Sequence, residues 1–110
     1  MTSPTQLTLK YLRDEGYTAQ VVEHFNMFAH VRQDLFGCID VVGIKAGEIG
    51  VVGIQTTSRA NMSARFKKSI AIPALKVWCA SGNKFFIHGW AKNKKGRWEL
   101  KERKVTAYAI

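Results

Sequence analysis

Residues 32–58 read RQDLFGCIDVVGIKAGEIGVVGIQTTS, and this stretch decides the fold. The apolar tetrapeptide Val-Val-Gly-Ile occurs in it twice, at 41–44 and at 51–54, on either side of a short segment that contains glycine. Two β-branched runs joined by such a segment are typical of a β-hairpin. We therefore expect two antiparallel neighbouring strands at the centre of a sheet.

The register of this hairpin predicts which polar side chains meet. Either a two-residue turn at Gly47-Glu48 or a four-residue loop over 46–49 pairs Asp40 with Gln55. Side chains that face one another across an antiparallel pair are about 5 Å apart at Cβ. At this distance, two side chains that carry oxygen atoms can bind the same hard cation. A connection one residue longer or shorter would place them on opposite faces. The alternative is an exposed polar pair at the end of an ordinary hairpin.

Length and composition are those of one globular domain over residues 1–110. The chain is 46% apolar, which is enough for a hydrophobic core at this length. No apolar run approaches the ~18 residues that span a bilayer, and we expect no secretory signal because the start lacks a basic segment followed by an apolar one. Cys38 and Cys79 are too few for a disulfide framework and match no zinc-binding pattern. We expect both as core residues of a cytoplasmic protein.

The positive charge lies in the second half of the chain. The formal net charge is +9; residues 1–55 contain four basic and six acidic residues, whereas residues 56–110 contain thirteen and two. This asymmetry predicts a face that binds a polyanion, of which nucleic acid is the commonest, and a solvated basic surface is the alternative. The residues that we expect to contact phosphates are Arg32, Arg59, Arg65, Lys67, Lys68, Lys94, Lys95 and Arg97.

Helix and strand signals along the chain give the order α-β-β-β-α-β-β. Apolar alternation marks the strands, and proline, glycine and capping residues mark the helix ends. The predicted segments are a helix from Ser3-Pro4 to Gly16, a strand over 17–25, a connection over 26–33, the hairpin, a helix from Asn61 or Ser63 that Pro73 interrupts or restarts, and strands over 84–91 and 98–105.

This order resembles that of the PD-(D/E)xK nucleases, and among them the small archaeal and phage Holliday-junction resolvases. Ile39-Asp40 looks like the Pro-Asp position of that family, on the second strand. Gln55-Thr56-Thr57 lies where the family carries Glu-x-Lys, on the third. The segment from Leu12 to Tyr17 is similar to the end of the family's first helix, and the resemblance covers roughly residues 5–90. It implies a restriction-endonuclease-like α/β fold, a central mixed β-sheet with a hairpin core flanked by helices.

The resemblance also implies metal-dependent hydrolysis of DNA. In the family, the Asp and Glu hold Mg²⁺ (or Mn²⁺), which generates hydroxide and stabilises charge on the phosphate, and the Lys helps to position or activate the attacking water. Asp40 is then expected as a metal ligand and Gln55 as a neutral carbonyl ligand. Thr57 stands in the place of the lysine and brings no charge. The first-helix glutamate of the family falls near Thr5 or Gln6.

Neighbouring residues are candidates to complete this site. Asp34 can supply a second carboxylate from the preceding loop, and Lys68 or Arg65 a cation that has migrated to the following helix. The alternative for Asp34 is a turn or cap residue. For Gln55 and Thr57 the alternative is a degenerate site that does not catalyse.

Three functions follow from these residues. The first is a Mg²⁺-dependent DNA endonuclease, active on branched DNA as the resolvases are, and the resemblance implies a homodimer. The second is a module of the same fold that binds DNA without cutting it, which the divergent Glu-x-Lys motif favours. The third is a basic RNA-binding domain, which would prefer RNA over DNA in competition.

Overall fold

A five-stranded mixed β-sheet forms the centre of the molecule, and the computed structural model describes residues 2–107. The helices are α1 (Pro4–Asp14), α2 (Met62–Ile70) and α3 (Pro73–Ala80), with a short 3-10 turn over Arg59–Asn61; the strands are β1 (Thr18–Val21), β2 (His24–Asn26), β3 (Val31–Gln33), β4 (Val41–Ile44), β5 (Val52–Ser58), β6 (Lys84–Lys92) and β7 (Trp98–Val105). The order in the sheet is β1-β4-β5-β6-β7, and β5 and β6 are parallel whereas the other neighbours are antiparallel. The fold is therefore α/β.

Helices cover both faces of this sheet, since side chains alternate along each strand. On one face, Leu9 and Leu12 of α1 pack against Val41 and Ile54. On the other face, α2 and α3 pack against β6; the buried side chains there include Ile39, Cys38, Met62, Leu75, Phe85 and Ile87. Cys38 is buried and Cys79 is half-buried, and both are free thiols. No helix in the described part of the chain is long and apolar enough to cross a membrane.

The hairpin between β4 and β5 has the predicted register. Val41 pairs with Ile54 and Gly43 with Val52. The predicted two-residue turn is wrong, however. The carbonyl of Lys45 accepts a hydrogen bond from the Glu48 N–H at 3.1 Å, so Gly47 is the third residue of a four-residue turn, where its φ of 87° suits glycine. The connection is longer than expected and still leaves the pairing unchanged.

The predicted first strand over 17–25 is also wrong in extent, because it divides into two strands. β1 ends at Val21, and the N–H groups of Val22 and Glu23 then donate to the Asp40 carbonyl at 2.8 and 3.2 Å. The chain turns out of the sheet there and forms a separate ribbon of β2 and β3, paired from His24 with Gln33 to Asn26 with Val31. The predicted connection over 26–33 therefore contains a strand.

The helix signals place α1 and α2 correctly. The Ser3 hydroxyl accepts the Gln6 N–H at 3.2 Å and Pro4 begins α1, as predicted. Helix α2 begins at Met62, between the two expected starting residues, and Pro73 starts α3 in its first turn, where its missing N–H costs no hydrogen bond. These helices bring the residues of α2 over the carboxyl half of β5.

Candidate metal centre

Asp40 and Gln55 lie side by side in the interior, as the hairpin register predicts. The Asp40 N–H donates to the Ile54 carbonyl at 2.8 Å, which continues the hairpin pairing by one residue. The Gln55 Nε2 then donates to the Asp40 Oδ2 at 3.0 Å. Asp40 is 2% exposed and Gln55 is 3% exposed. The alternative of an exposed polar pair is therefore excluded.

The two oxygens of the Asp40 carboxyl group have unlike surroundings. Oδ2 accepts three hydrogen bonds, from Gln55 Nε2, from the Thr56 N–H at 2.8 Å and from the Thr56 hydroxyl at 3.1 Å. Oδ1 has no hydrogen-bond partner among the described residues, and neither does the Gln55 Oε1. Buried oxygens without donors are costly, and they are the atoms that a hard cation would take as ligands.

Two further carboxylates approach Asp40 from the ribbon. Glu23 lies between β1 and β2, and Asp34 follows β3 directly, so both stand at the base of the ribbon. One oxygen from each of Glu23, Asp34 and Asp40 lies within 4.8 Å of the others, and the three side chains together can hold a metal ion. Asp34 is thus placed where the sequence predicted a second carboxylate.

The pKa of Asp40 reflects this crowding. Burial raises the pKa most; the Thr56 N–H lowers it, and the negative charge of Asp34 raises it further, to about 8. Without a cation the pocket therefore favours the protonated form of this acid near neutral pH. A bound divalent ion would oppose this shift of the pKa, because its positive charge would stabilise the ionised carboxylate.

The acidic side chains share a polar pocket of about 230 Å³ with three basic ones. Arg32 comes from the ribbon and its Nη1 lies 2.6 Å from the Glu23 Oε1. Arg65 and Lys68 come from α2, one turn apart on the same side of the helix. The pocket is lined by Glu23, Arg32, Asp34, Asp40, Gln55, Thr56, Arg65 and Lys68.

Thr57 lies outside this pocket, whereas the first helix contacts one of its lining residues. Thr57 is buried on β5 and is not among the lining residues of the pocket. Thr5 of α1, in contrast, reaches the site through its neighbour, because its hydroxyl lies 2.8 Å from the Thr56 hydroxyl that donates to Asp40. The first helix therefore approaches the site with a hydroxyl group, and the glutamate that the resemblance implies near Thr5 or Gln6 is absent from the sequence.

The remaining basic residues that we expected at phosphates lie in two places. Arg59 and Lys67 are close in sequence to residues that line the pocket. Arg59 donates to the Glu99 carbonyl at 3.3 Å, and Lys67 is exposed on α2. Lys94, Lys95 and Arg97 form the turn between β6 and β7, whose shape is held by the Asn93 side chain. Since Gln55 pairs with Ile87, this turn lies about 20 Å further along the strands at ~3.3 Å per residue.

Sequence reasoning missed Glu23 and Thr56. Glu23 lies within the segment 17–25 that is predicted as one continuous strand, and Thr56 has no role of its own in the predicted site. The signal that points to Glu23 is Asn26, whose side chain accepts the N–H groups of Phe28 and Ala29, both at 3.0 Å. Such an Asn turn predicts a chain reversal, and a reversal there brings Glu23 back beside Asp34.

Comparison of the chain with protein-family models, with curated proteins and with solved structures finds no match. What the site does is therefore inferred from its own chemistry.

Proposed function

We propose that this chain is a metal-dependent nuclease of the PD-(D/E)xK type that hydrolyses phosphodiester bonds in DNA. The observation that carries the proposal is a pair of buried oxygens without donors, Asp40 Oδ1 and Gln55 Oε1, beside two more carboxylates within 4.8 Å. An all-oxygen set of this kind suits Mg²⁺ or Mn²⁺. Three carboxylates also make the site more negative than the Asp40–Gln55 pair alone.

The connectivity supports a restriction-endonuclease-like fold. With the ribbon set aside, the chain runs α1-β1-β4-β5, then the two helices, then β6. This is the α-β-β-β-α-β order of the resemblance, with Asp40 at the start of the second core strand and Gln55 on the third. The ribbon is then an insertion between the first two core strands.

A bound Mg²⁺ would act as a Lewis acid on a phosphate oxygen and lower the pKa of a coordinated water. The residues of the chain divide the other tasks. Asp40 and Gln55 hold their ligand oxygens in place, since both side chains are buried and Oδ2 of Asp40 is fixed by three donors. Arg65 and Lys68 face the same pocket and can neutralise the charge that develops on the phosphate. These two side chains would supply the positive charge of the family's lysine, which Thr57 lacks.

The test is cleavage of linear and branched DNA with Mg²⁺ or Mn²⁺, together with calorimetric titration of Mn²⁺. We expect Asp40→Asn to abolish both cleavage and Mn²⁺ binding. Asp14→Asn is the matched control, because Asp14 is an exposed carboxylate on α1 that pairs with Lys10. Wild-type protein that binds neither metal, or Asp14→Asn with the same defect as Asp40→Asn, would contradict the proposal.

A second function, DNA binding without cleavage, is favoured by one observation. Thr57 stands where the resemblance expects the family's lysine and lies outside the pocket lining, so the water-activating charge would have to come from another element. Tight binding of DNA by the wild type with no cutting in either metal would favour this function. Competition with RNA separates both from an RNA-binding domain. The homodimer stays a prediction, which the molecular mass in solution tests.

A further inference from the structure

The ribbon of β2 and β3 ends in apolar side chains that no part of the described chain covers. Phe28 is 99% exposed and Met27 is 76% exposed. The turn that carries them is fixed by Asn26, whose Oδ1 accepts the N–H groups of Phe28 and Ala29. A large aromatic side chain held out in water by an ordered turn is unusual, since a buried aromatic ring removes 150–250 Å² from water at ~25 cal/mol per Å².

This tip is joined to the candidate metal centre by the two strands of the ribbon. Glu23 and Asp34, two of the three clustered carboxylates, stand at the base of the ribbon. Phe28 is five positions after Glu23, three of them in β2 and two in the turn, so at ~3.3 Å per residue the two are at most about 16 Å apart. Nucleotides are spaced ~3.4 Å apart along one strand of B-DNA. The tip is therefore within about five nucleotides of a phosphate bound at the site.

We infer that the ribbon is a base-stacking wedge, in which Phe28, supported by Met27, stacks on or between nucleobases of DNA held at the metal centre. The inference rests on the proposed function and adds to it a second contact, with bases rather than phosphates. A two-stranded ribbon fits the major groove, and apolar side chains that enter a base step unstack it. An aromatic ring can stack on any base, so this contact would not depend on the DNA sequence.

The surroundings of the ribbon favour DNA over a second copy of the chain. Arg32 on β3 and Arg65 and Lys68 on α2 line the pocket at its base, and this charge suits a polyanion whose bases are apolar and flat. The exposed apolar side chains of the ribbon, which are Met27 and Phe28 at the tip and the half-exposed Phe25 and Val31, form a narrow strip that falls short of the ~800 Å² per partner that a standard protein interface buries. A nucleobase is of the right size for a single phenylalanine ring.

The test uses a DNA duplex with 2-aminopurine in a central bulge, bound in Ca²⁺ so that fluorescence is measured without turnover. The wild type should change the 2-aminopurine fluorescence on binding. We expect Phe28→Ala to lose most of this change and to bind bulged DNA about ten- to hundredfold more weakly, with an unaltered dependence of affinity on salt. Phe28→Trp should retain the signal.

The matched control is Ile49→Ala, which truncates another exposed apolar side chain (88% exposed) on the turn between β4 and β5. Equal signals and affinities for the wild type, Phe28→Ala and Ile49→Ala would overturn the wedge and, if Mn²⁺ binding and cleavage persist, leave the nuclease proposal intact. A signal that depends on Phe28 in a protein that does not cleave supports the wedge while the nuclease fails. A Phe28→Ala variant that changes only the mass of the free protein would overturn the wedge in favour of a contact between copies.

Discussion

Asp40 is a buried acid whose hydrogen-bond donors among the described residues are Gln55 and Thr56, both neutral. Burial raises the pKa of Asp40 most, the Thr56 N–H lowers it, and repulsion from Asp34 raises it again; the resulting pKa is about 8. The pKa of an unfolded aspartate is about 3.9. Between these values the folded chain binds more protons than the unfolded chain, so the free energy of unfolding should fall as the pH rises from about 4 to about 8. Urea unfolding at pH 5 and pH 8.5 in a chelator measures this loss.

Asp40→Asn isolates the contribution of that one group. The amide oxygen can keep the hydrogen bonds from Thr56 and Gln55, and its NH₂ can donate toward Glu23 or Asp34. Without metal at pH 8.5 we expect the variant to be more stable than the wild type, by about 1–3 kcal/mol, and to lose most of the pH dependence. A variant that is less stable than the wild type at pH 8.5 would contradict this assignment of the charge.

Gln55 is neutral where the resemblance implies a carboxylate. Its Nε2 donates a hydrogen bond to Asp40, and this bond stabilises the pair when no metal is bound. Gln55→Glu replaces that donor by a second negative charge. We expect it to lower the melting temperature in a chelator and to raise Mn²⁺ affinity by at least about tenfold, or ~1.4 kcal/mol. Melting scans and calorimetric titration measure the two effects. Gln20→Glu, at an exposed position on β1, is the control, and an equal gain in affinity there would contradict a direct contact.

At the scale of secondary structure, apolar alternation and capping residues predict a helix or strand when its buried and exposed faces, or its two ends, differ in residue type. The two Val-Val-Gly-Ile runs fix the register of β4 with β5, because a shift by one residue would turn Val41 or Ile54 away from the cluster that they form with α1. The boundaries of β7 also match the prediction. The ribbon could not be found in this way, since Phe25, Met27, Phe28 and Val31 are apolar yet exposed, and apolar alternation no longer reports burial there.

The facing pair of the candidate site was predictable because one element defines it: Asp40 and Gln55 follow from a single hairpin. Asp34, Arg65 and Lys68 were also predicted as candidates, from their nearness in sequence to that hairpin, and they line the pocket. Glu23 was not predicted, because it reaches the site through a turn out of the sheet, and the packing of α2 on β6 sets where Arg65 and Lys68 lie. These contacts join residues that are far apart in sequence, and no local periodicity encodes them.

The packing of α2 depends on Gly89 of β6. A Cβ at this position would overlap the Met62 side chain and lie 3.0 Å from the Arg59 Cα, so Gly89→Ala must displace the start of α2. We expect a loss of about 1–3 kcal/mol in the free energy of unfolding and weaker Mn²⁺-dependent cleavage, because Arg65 and Lys68 move. Gly43→Ala is the control, since a Cβ there meets Tyr17 at an ordinary 3.4 Å. Equal losses in the two variants, measured by urea unfolding, would contradict this role.

At the scale of the whole molecule, an acidic pocket is set in a basic chain. Three carboxylates converge at the base of the ribbon, while the formal net charge is +9. Basic residues stand both at the pocket, on α2 and the ribbon, and about 20 Å away at the turn between β6 and β7. That span corresponds to about six base pairs at ~3.4 Å each. The proposed DNA binding therefore predicts that one duplex, laid along the strands of the sheet, contacts both groups.

The salt dependence of DNA binding tests this arrangement. Each phosphate neutralised by the protein adds about 0.9 to the slope of log affinity against log salt for duplex DNA. We expect the double variant Lys94→Gln, Lys95→Gln to reduce the slope by about 1–2 and to weaken binding at low salt, measured by fluorescence anisotropy on a duplex of about 20 base pairs. It should leave Mn²⁺ affinity unchanged, because the turn is remote from Asp40. Lys10→Gln with Lys76→Gln removes two exposed charges from α1 and α3 and should leave the slope intact. An equal reduction in both double variants would mean that net charge, rather than the position of the turn, determines binding.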